Sequence, residues 1–209
     1  MTKPDGVFVH PQGLCESTQV GKGTRVWAFA HILPGAVVGS DCNICDHAFI
    51  ESGARLGNGV TVKNAVLVWE GVTVEDEVFL GPNMLFTNGL RPRASRKQSS
   101  QELLPTFVRR GASLGAGVVV VCGTTIGEYA FAAAGAVVVR DVPAHALVMG
   151  NPGRQVGWVC SCGERLAEDL GCECGRRFQQ GGSGGGLLPC VADLGAGSSP
   201  VGQGGVGLG

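Results

Sequence analysis

The chain has 209 residues, a formal net charge of −1, and hydrophobic residues at 44% of its positions. The near-zero charge argues against nucleic acid as the main partner, and no apolar run reaches the roughly 18 residues that a membrane helix needs. The first residues, MTKPDGVFVHPQG, contain no apolar signal segment and the nine cysteines do not resemble a secreted disulfide scaffold, so we expect one cytoplasmic domain with free thiols.

An aliphatic or aromatic residue recurs at every sixth position from Leu14 to Phe86, and a mostly small residue stands four places after each, from Thr18 to Met84. A period of six fits neither an amphipathic helix nor plain strand alternation, but it fits an all-β parallel β-helix in which each hexad supplies one strand and one corner. The sixth-position residues then point inward. An ordinary β-sandwich is the alternative, but nothing in that fold would maintain this period.

Aromatic side chains also occupy outward positions of these coils. Trp27 and Trp69 each follow an inward residue, so we expect both on the outer surface, either as interface anchors or packed on their own coil. His31 and His47 are outward in the same frame.

Polar residues about one coil apart are expected to stack into columns. Ser52, Glu70 and Asn88 form one such column, and Asn83 stands in the column that contains His47. Such columns either line a cleft or are solvated corners. For Glu70, Asn83 and Asn88 a cleft is the hypothesis, because they lie where the repeat stops.

The repeat is interrupted once, between Phe86 and Val108, and residues 87–107 are predicted to leave the coil as one extended loop. This loop carries Arg91, Arg93, Arg96 and Lys97 against a single acid, Glu102. Long excursions from compact repeats are usually functional or disordered. The loop is therefore either a lid or clamp on an anionic substrate, or a mobile segment whose charges keep it soluble.

The hexads resume at Val108 and continue to Val142. Two stretches, LGAGVV and AAAGAVV, predict shallow walls lined by glycine and alanine, in which Gly115 and Ala133 stack and Ala134 is adjacent. Cys122 falls at a small buried corner, where thiols are usually inert, so we expect no covalent thioester intermediate on the protein.

The composition changes after Trp158. Two cysteine pairs in CSCGERLAEDLGCECGRRF could hold a zinc ion, but their C-x-C spacing is not the usual C-x2-C, so a site without metal and with free thiols is the alternative. The pairs are Cys160 with Cys162 and Cys172 with Cys174. The predicted division is a β-helix domain at 1–158, a Cys-containing segment at 159–179, and a Gly-rich, disordered tail of no assigned function at 180–209.

Several longer segments are more specific than any hexad: VWAFAHI, VWEGVTVEDEVFLGPNMLFTN, RRGASLGAG, CGTTIGEYAF, AGAVVVRDVPAHALVMGNPGRQVGW and CGERL. Together they resemble the nucleotide-sugar N-acetyltransferase branch of the hexapeptide-repeat acyltransferases. The resemblance covers residues 7–166 and implies a left-handed β-helix, although physics alone would favour right-handed crossovers. It also implies a homotrimer that transfers acetyl from acetyl-CoA to the amine of a UDP- or dTDP-linked deoxyaminosugar, often at C3. Members of this branch serve the biosynthesis of surface polysaccharides such as lipopolysaccharide.

Acyl transfer from a thioester to an amine needs a neutral amine and a stabilised oxyanion. Asn88 is our first catalytic candidate, as a positioning group, because its amide can both donate and accept. His31 is the second, as a base, with His47 behind it and with His10 and His145 near the ends. The resemblance implies that a strong protein base is not required.

The resemblance also assigns binding roles. It places the loop at an active site between two subunits, where Arg93 and Arg96 are expected to contact the diphosphate of the substrate beside Glu70 and Asn83. Acetyl-CoA is expected along the later coils. Its predicted contacts are Gly115, Ala133, Ala134 and Arg154.

Three other functions remain to be weighed. One is a hexapeptide acyltransferase with an O-acetyl product or a larger acyl donor. Another is a β-helix carbonic anhydrase, for which His31 and His47 lack a third outward histidine at a suitable spacing. The last is a non-catalytic structural β-helix, which would not need a basic loop beside polar columns.

Overall fold

The computed structural model describes residues 5–96 and 102–190. Within these ranges the regular secondary structure is short β-strands joined by tight turns, with a 3-10 turn at Ser183–Gly185 and no α-helix. None of the described residues lies in a helix long and apolar enough to cross a bilayer.

Three parallel sheets form the sides of a prism, and the chain visits them in the order A, B, C. Sheet A stacks β1 (Phe8–Val9), β3 (Arg25–Val26), β6 (Asn43–Ile44), β9 (Thr61–Val62), β12 (Phe79–Leu80), β15 (Ser113–Leu114), β18 (Phe131–Ala132), β20 (Ala146–Met149) and β21 (Arg154–Trp158). Sheet B stacks β2 (Leu14–Cys15), β4 (His31–Ile32), β7 (Phe49–Ile50), β10 (Leu67–Val68), β13 (Leu85–Phe86), β16 (Val119–Val120) and β19 (Val137–Val138). Sheet C stacks β5 (Val37–Val38), β8 (Arg55–Leu56), β11 (Val72–Val74), β14 (Thr106–Val108) and β17 (Thr125–Ile126).

The register explains the period of six. Asn43 pairs in parallel with Thr61, eighteen residues on, so three hexads complete one coil. Because this step repeats through the regular coils, their sixth-position side chains stack into one continuous core, in which Ile44, Val62 and Leu80 are fully buried. The predicted parallel β-helix of hexapeptide repeats is confirmed.

The first coil departs from the predicted frame. Leu14 was expected to point inward, but it is 45% exposed, and Cys15 pairs with Ile32 in its place. The predicted small corner residue Thr18 is likewise exposed, while Ser17 is buried and its hydroxyl donates to the Ala36 carbonyl at 2.6 Å. This coil is one residue short, so counting back in sixes from the regular coils selects the wrong neighbour.

The corners between sheets are built from residues with positive φ. We call the column between sheets A and B the A/B corner, and the column between sheets B and C the B/C corner. The A/B corner consists of Phe29, His47, Ala65, Asn83, Gly117 and Gly135. The B/C corner consists of Gly35, Gly53, Gly71 and Gly123.

The interruption falls at the B/C corner. The chain leaves sheet B after β13 and re-enters in sheet C with β14, and on either side of the gap Phe79 pairs with Ser113 in register. The predicted loop at 87–107 is therefore confirmed, with its return strand beginning at Thr106. Residues 97–101, including Lys97, lie outside the described residues.

The C-terminal end closes the solenoid and corrects one expectation. Strand β21 turns back antiparallel on β20 and covers the end of sheet A. Residues 180–190 were expected to be disordered, but β22 (Phe178–Gln180) pairs with β23 (Leu187–Pro189), and Leu187 is 1% exposed. Composition alone missed this hairpin because its glycines are followed by a leucine that packs in a small second core. Residues 191–209 of the predicted tail lie outside the described residues.

Candidate functional site

The outward face of sheet B is apolar along most of its height. Leu14 and Leu85 are 45% and 39% exposed, and four further apolar side chains between and above them are half-buried. These are Phe49, Leu67, Val119 and Val137. Sheet A carries a more mixed outward column, with Arg25, Asn43 and Thr61 below Phe79. The apolar face of sheet B is bounded by the A/B corner on one side and the B/C corner on the other.

The B/C corner holds Glu70 and Asn88 where the chain departs into the loop. The Glu51 carboxylate accepts from the Glu70 backbone N–H at 2.7 Å, and the Trp69 indole donates to the Phe86 carbonyl at 2.8 Å. These bonds fix the backbone beneath the loop. Asn88 is half-buried two residues after Phe86, so the predicted grouping of Glu70 with Asn88 is present one coil apart.

His31 lies lower on the sheet B face and has a partner that the sequence did not indicate. Its Nε2 lies 2.7 Å from Glu16 Oε2, and its ring meets Phe49 edge-on at 5.7 Å between centroids. Strand β4 is three strands below β13, which at about 4.8 Å per strand separates His31 from Asn88 by roughly 14 Å. One chain therefore does not bring the two catalytic candidates together. Glu16 could have been found only from the irregular register of the first coil.

Asn83 lies at the other edge of sheet B. It belongs to the A/B corner with a φ of 57°, a conformation that asparagine tolerates better than most residues. Gly117 and Gly135 stand above it in the same column, and a Cβ added to either would meet nothing within 4 Å. Asn83 is thus separated from Asn88 by the width of the sheet and lies below an open, glycine-lined shelf.

The predicted acetyl-CoA residues converge on this shelf. Gly115 and Ala133 occupy adjacent coils beside the A/B corner, and a Cβ at Gly115 would come within 2.7 Å of the Ala134 nitrogen, so stacking itself requires this glycine. The column continues upward through Met149, whose partner in β21 is Arg154. Arg154 is exposed and lies about two strand spacings, roughly 10 Å, above Ala133.

The loop arginines are exposed and locally ordered. Arg93 and Arg96 bridge each other across a tight turn, and Arg96 Nη2 donates to Glu102 Oε1 at 2.9 Å. An exposed pair of this kind contributes little to stability.

A cleft of about 840 Å³ lies elsewhere, between the upper coils and the C-terminal hairpin, and of the predicted candidates only His145 lines it. Its floor contains an ion pair, Arg109 Nη1 to Glu75 Oε1 at 2.6 Å. His145 forms part of its wall, stacked on Tyr129 and tilted against Phe178. Burial lowers the pKa of His145, although the Val159 carbonyl that accepts from Nδ1 at 2.9 Å partly opposes this shift.

Comparison with known proteins identifies the family. The description "Bacterial transferase hexapeptide (six repeats)" matches residues 17–52. The chain is 49% identical over 175 residues to dTDP-3-amino-3,6-dideoxy-alpha-D-galactopyranose 3-N-acetyltransferase of Aneurinibacillus thermoaerophilus, covering 82% of this chain and 90% of that enzyme. The chain belongs to the hexapeptide-repeat acyltransferases, in the nucleotide-sugar N-acetyltransferase branch. The predicted family and the predicted enzyme class, an acetyl-CoA-dependent N-acetyltransferase, are confirmed.

Solved structures agree on the fold of this N-acetyltransferase. The acetyltransferase domain of PglB from Neisseria gonorrhoeae, in complex with acetyl coenzyme A, aligns with a TM-score of 0.54 at 23% identity, over 72% of this chain and 58% of that one. A hexapeptide-repeat acetyltransferase of Vibrio cholerae, complexed with acetyl coenzyme A, aligns with a TM-score of 0.51 at 25% identity, over 59% and 70%.

Proposed function

We propose that this N-acetyltransferase acts on a dTDP-linked 3-amino-3,6-dideoxyhexose and acetylates the amine at C3. The observation that carries the proposal is the 49% identity to an enzyme of that specificity, sustained over 90% of its length. By the same similarity, we propose the galacto configuration for the sugar. UDP-linked sugars and amines at C4 become outcomes of the test.

The reaction requires the protein mainly to orient the sugar amine against the thioester. The neutral sugar amine attacks the thioester carbonyl, the tetrahedral oxyanion collapses, and CoA leaves as its thiolate, which takes up the proton lost by the amine. We assign Asn88 to hold the amine, since an amide can accept from N–H and donate to the oxyanion. His31, oriented by Glu16 at 2.7 Å, is the second candidate, as the group that relays the proton.

We further propose that the enzyme is a homotrimer in which the apolar face of sheet B packs on a neighbour. A three-fold interface is heterologous, so the B/C corner of one subunit meets a different surface of the next. The A/B shelf is the available surface on the other side of the same face. The basic loop and Asn88 of one chain would then lie beside the acetyl-CoA shelf of its neighbour.

This arrangement gives each remaining predicted residue a role. Arg93 and Arg96 would bind the diphosphate of the nucleotide sugar, with Glu70 at the sugar and Asn83 between shelf and substrate. Ala133 and Ala134 with Gly115 would line the pantetheine arm. Arg154 would contact a CoA phosphate.

The proposed setting is cytoplasmic synthesis of nucleotide-activated sugars for surface polysaccharide. All nine cysteines are present as free thiols, which fits a reducing compartment.

The substrate test is a turnover assay with acetyl-CoA and a panel of sugars: dTDP-3-amino-3,6-dideoxygalactose, its gluco epimer, the UDP analogue, and a dTDP-4-amino sugar. Exposed Cys162 and Cys174 would consume thiol reagents, so CoA and acetylated product should be quantified by chromatography and mass. We expect the highest kcat/KM with the dTDP-3-amino sugars. Preference for the 4-amino sugar or for UDP would overturn the assignment, and absence of turnover with every amine would favour a different acceptor.

A further inference from the structure

The structure brings together four thiols that the acetyltransferase reaction does not use. The Sγ atoms of the cysteine cluster all lie within 4.8 Å of one another, and the cluster consists of Cys160, Cys162, Cys172 and Cys174. The Sγ atoms of Cys160 and Cys174 are 3.6 Å apart, as are those of Cys162 and Cys172. Tetrahedral zinc with Zn–S bonds of about 2.3 Å requires sulfurs about 3.8 Å apart, whereas a disulfide requires about 2.05 Å.

Two matching turns supply these thiols. The sequences CSCGER and CECGRR each place a glycine with positive φ directly after the second cysteine: Gly163 at 98° and Gly175 at 90°. Each glycine N–H donates to the carbonyl of the first cysteine of its turn at 2.9 Å. The first cysteine N–H in turn donates to the carbonyl four residues on, at 2.8 Å in one turn and 2.9 Å in the other.

The geometry of these two turns explains how C-x-C spacing, which is not the usual C-x2-C of zinc sites, can still bring the thiols together. In each turn the glycine folds the chain back, so both cysteines of a pair can point to one side even with a single residue between them. Four thiols from two such turns, all within 4.8 Å of one another, could fill every position of a tetrahedral ion, which is typical of a structural site rather than a catalytic one. Arg176 Nη1 also donates to Cys174 Sγ at 3.4 Å, a contact that favours the thiolate.

The segment that carries the cluster has only a small core of its own. Its buried core comprises four residues, Cys160, Leu166, Phe178 and Leu187. Units of this size generally need a metal, disulfides or a partner to fold. The segment docks on the last coil through Val159 N–H to the His145 carbonyl at 2.8 Å and Leu187 N–H to the Ala144 carbonyl at 3.2 Å.

We infer that the cysteine cluster binds one structural zinc ion, and that zinc folds residues 159–190 into the cap on the end of the β-helix. Thiolates prefer soft or borderline metals, and tetrahedral S4 sites hold zinc or iron. Zinc binding supplies the folding free energy that the small core lacks. This inference is independent of which sugar the enzyme acetylates.

The test is metal analysis of the full-length protein, purified without a polyhistidine tag and without chelator. We expect about one zinc per chain by mass spectrometry, released when a mercurial blocks the thiols. The variants Cys162→Ser and Cys174→Ser should each lose the metal. Cys15→Ser, which alters a half-buried cysteine at the opposite end, should retain it.

A second readout follows the cap rather than the metal. In the zinc-loaded protein, limited proteolysis should spare residues 159–190; after chelation or in Cys174→Ser, cleavage should occur there while the β-helix stays intact. Metal-free protein from zinc-supplemented cells with a protected cap would overturn the inference. So would iron in place of zinc, or thiol counts four short of nine after denaturation, which would indicate two disulfides.

Discussion

Asn88 carries the sharpest expectation for a single side chain. It lies half-buried where the coil opens into the loop, one coil above Glu70, and it has a side chain suited to orient an amine. We expect Asn88→Ala to lower kcat, because a hydrogen bond to a charged group contributes about 1.5–3 kcal/mol. That corresponds to roughly 10- to 100-fold in rate. Steady-state kinetics with saturating acetyl-CoA would measure it.

Asn58→Ala is the matched control for this experiment. Asn58 is exposed on the corner between sheets C and A, where its side chain bonds only to Ser40 and Asp76. Its removal should leave kcat unchanged. An Asn88→Ala enzyme with undiminished kcat would remove Asn88 from the site, and one that loses its oligomeric state would have to be assigned a structural role.

His145 makes stability depend on pH. The side chain is 4% exposed between Tyr129 and Phe178, and burial lowers its pKa despite the Val159 carbonyl and the nearby charge of Glu128. The unfolded chain therefore binds a proton more readily than the folded one, so stability is full above the ordinary histidine pKa of about 6.5 and falls as the pH drops below it. Melting temperature should decline from pH 7.5 to 5.5.

The variant His145→Asn should flatten that decline. Asparagine tolerates the φ of 63° at this position and can still donate to the Val159 carbonyl, but it does not titrate. His47→Asn is the control, since His47 is exposed and has a φ of 60°. If the slope of melting temperature against pH were the same in parent and His145→Asn, burial of this histidine would not be its origin.

Sequence reasoning at this scale succeeded where the repeat is regular and failed where one residue is missing. The inward positions from Val20 to Phe86 are all buried. Pairing strands eighteen residues apart places every sixth side chain inside, so the hydrophobic period follows directly from the strand register. The prediction for Leu14 was wrong because the first coil is one residue short, so Cys15 pairs with Ile32 in its place. The partnership of Glu16 with His31 depends on that same irregular register and could not be read from spacing.

Among the elements, the basic loop was the easiest to place and the hardest to interpret. The boundaries of the loop follow from the interruption of the six-residue period. The period does not indicate which side chains pair within the loop, and the Arg96–Glu102 contact was not expected. The C-terminal hairpin shows the converse: composition indicated disorder, yet a single buried leucine after a run of glycines closes β22 on β23. Composition averages over a segment and does not register a single buried side chain such as Leu187.

The loop arginines yield a prediction on binding rather than rate. Arg96→Ala should raise KM for the nucleotide sugar by about 10- to 100-fold, as expected for loss of a charge-assisted contact to phosphate, while KM for acetyl-CoA stays constant. Stability should not change, because the pair with Glu102 is exposed. Thermal melts and two-substrate kinetics would measure both.

The matched change is Arg25→Ala, which removes an exposed arginine from the lower part of sheet A. It should affect neither KM. An increase of the KM for acetyl-CoA in Arg96→Ala would indicate that the loop binds CoA rather than the sugar diphosphate. Equal KM values in both variants would leave the loop without a binding role.

For the whole molecule, the apolar face of sheet B is the feature through which the proposed trimer would join separate columns into one site. His31, Asn88 and the predicted acetyl-CoA shelf lie on different parts of this face and its two edges, too far apart to act together in one chain. A sequence can indicate that they face outward. It cannot show which of them meet, because that depends on how copies of the chain pack. Of the outward columns of sheets A and B, only that of sheet B is apolar along most of its height.

Two substitutions of equal exposure test this arrangement. Leu85 on sheet B and Phe79 on sheet A are both 39% exposed and lie in the same coil, so a glutamate costs the isolated chain about the same at either position. We expect Leu85→Glu to dissociate the proposed trimer to monomers and to abolish turnover, because burying an unpaired carboxylate in an apolar interface is strongly unfavourable. Phe79→Glu should remain trimeric and active.

Light scattering coupled to gel filtration would give the masses of the two variants, and activity assays on the same samples would test the shared site. Leu85→Glu monomers should remain inactive at all concentrations at which the parent is active, while circular dichroism shows the β-helix intact. If Leu85→Glu stayed trimeric, the B face would not be the interface. If it became monomeric yet retained full turnover, each chain would hold a complete site, and the pairing of one chain's loop with its neighbour's acetyl-CoA shelf would be wrong.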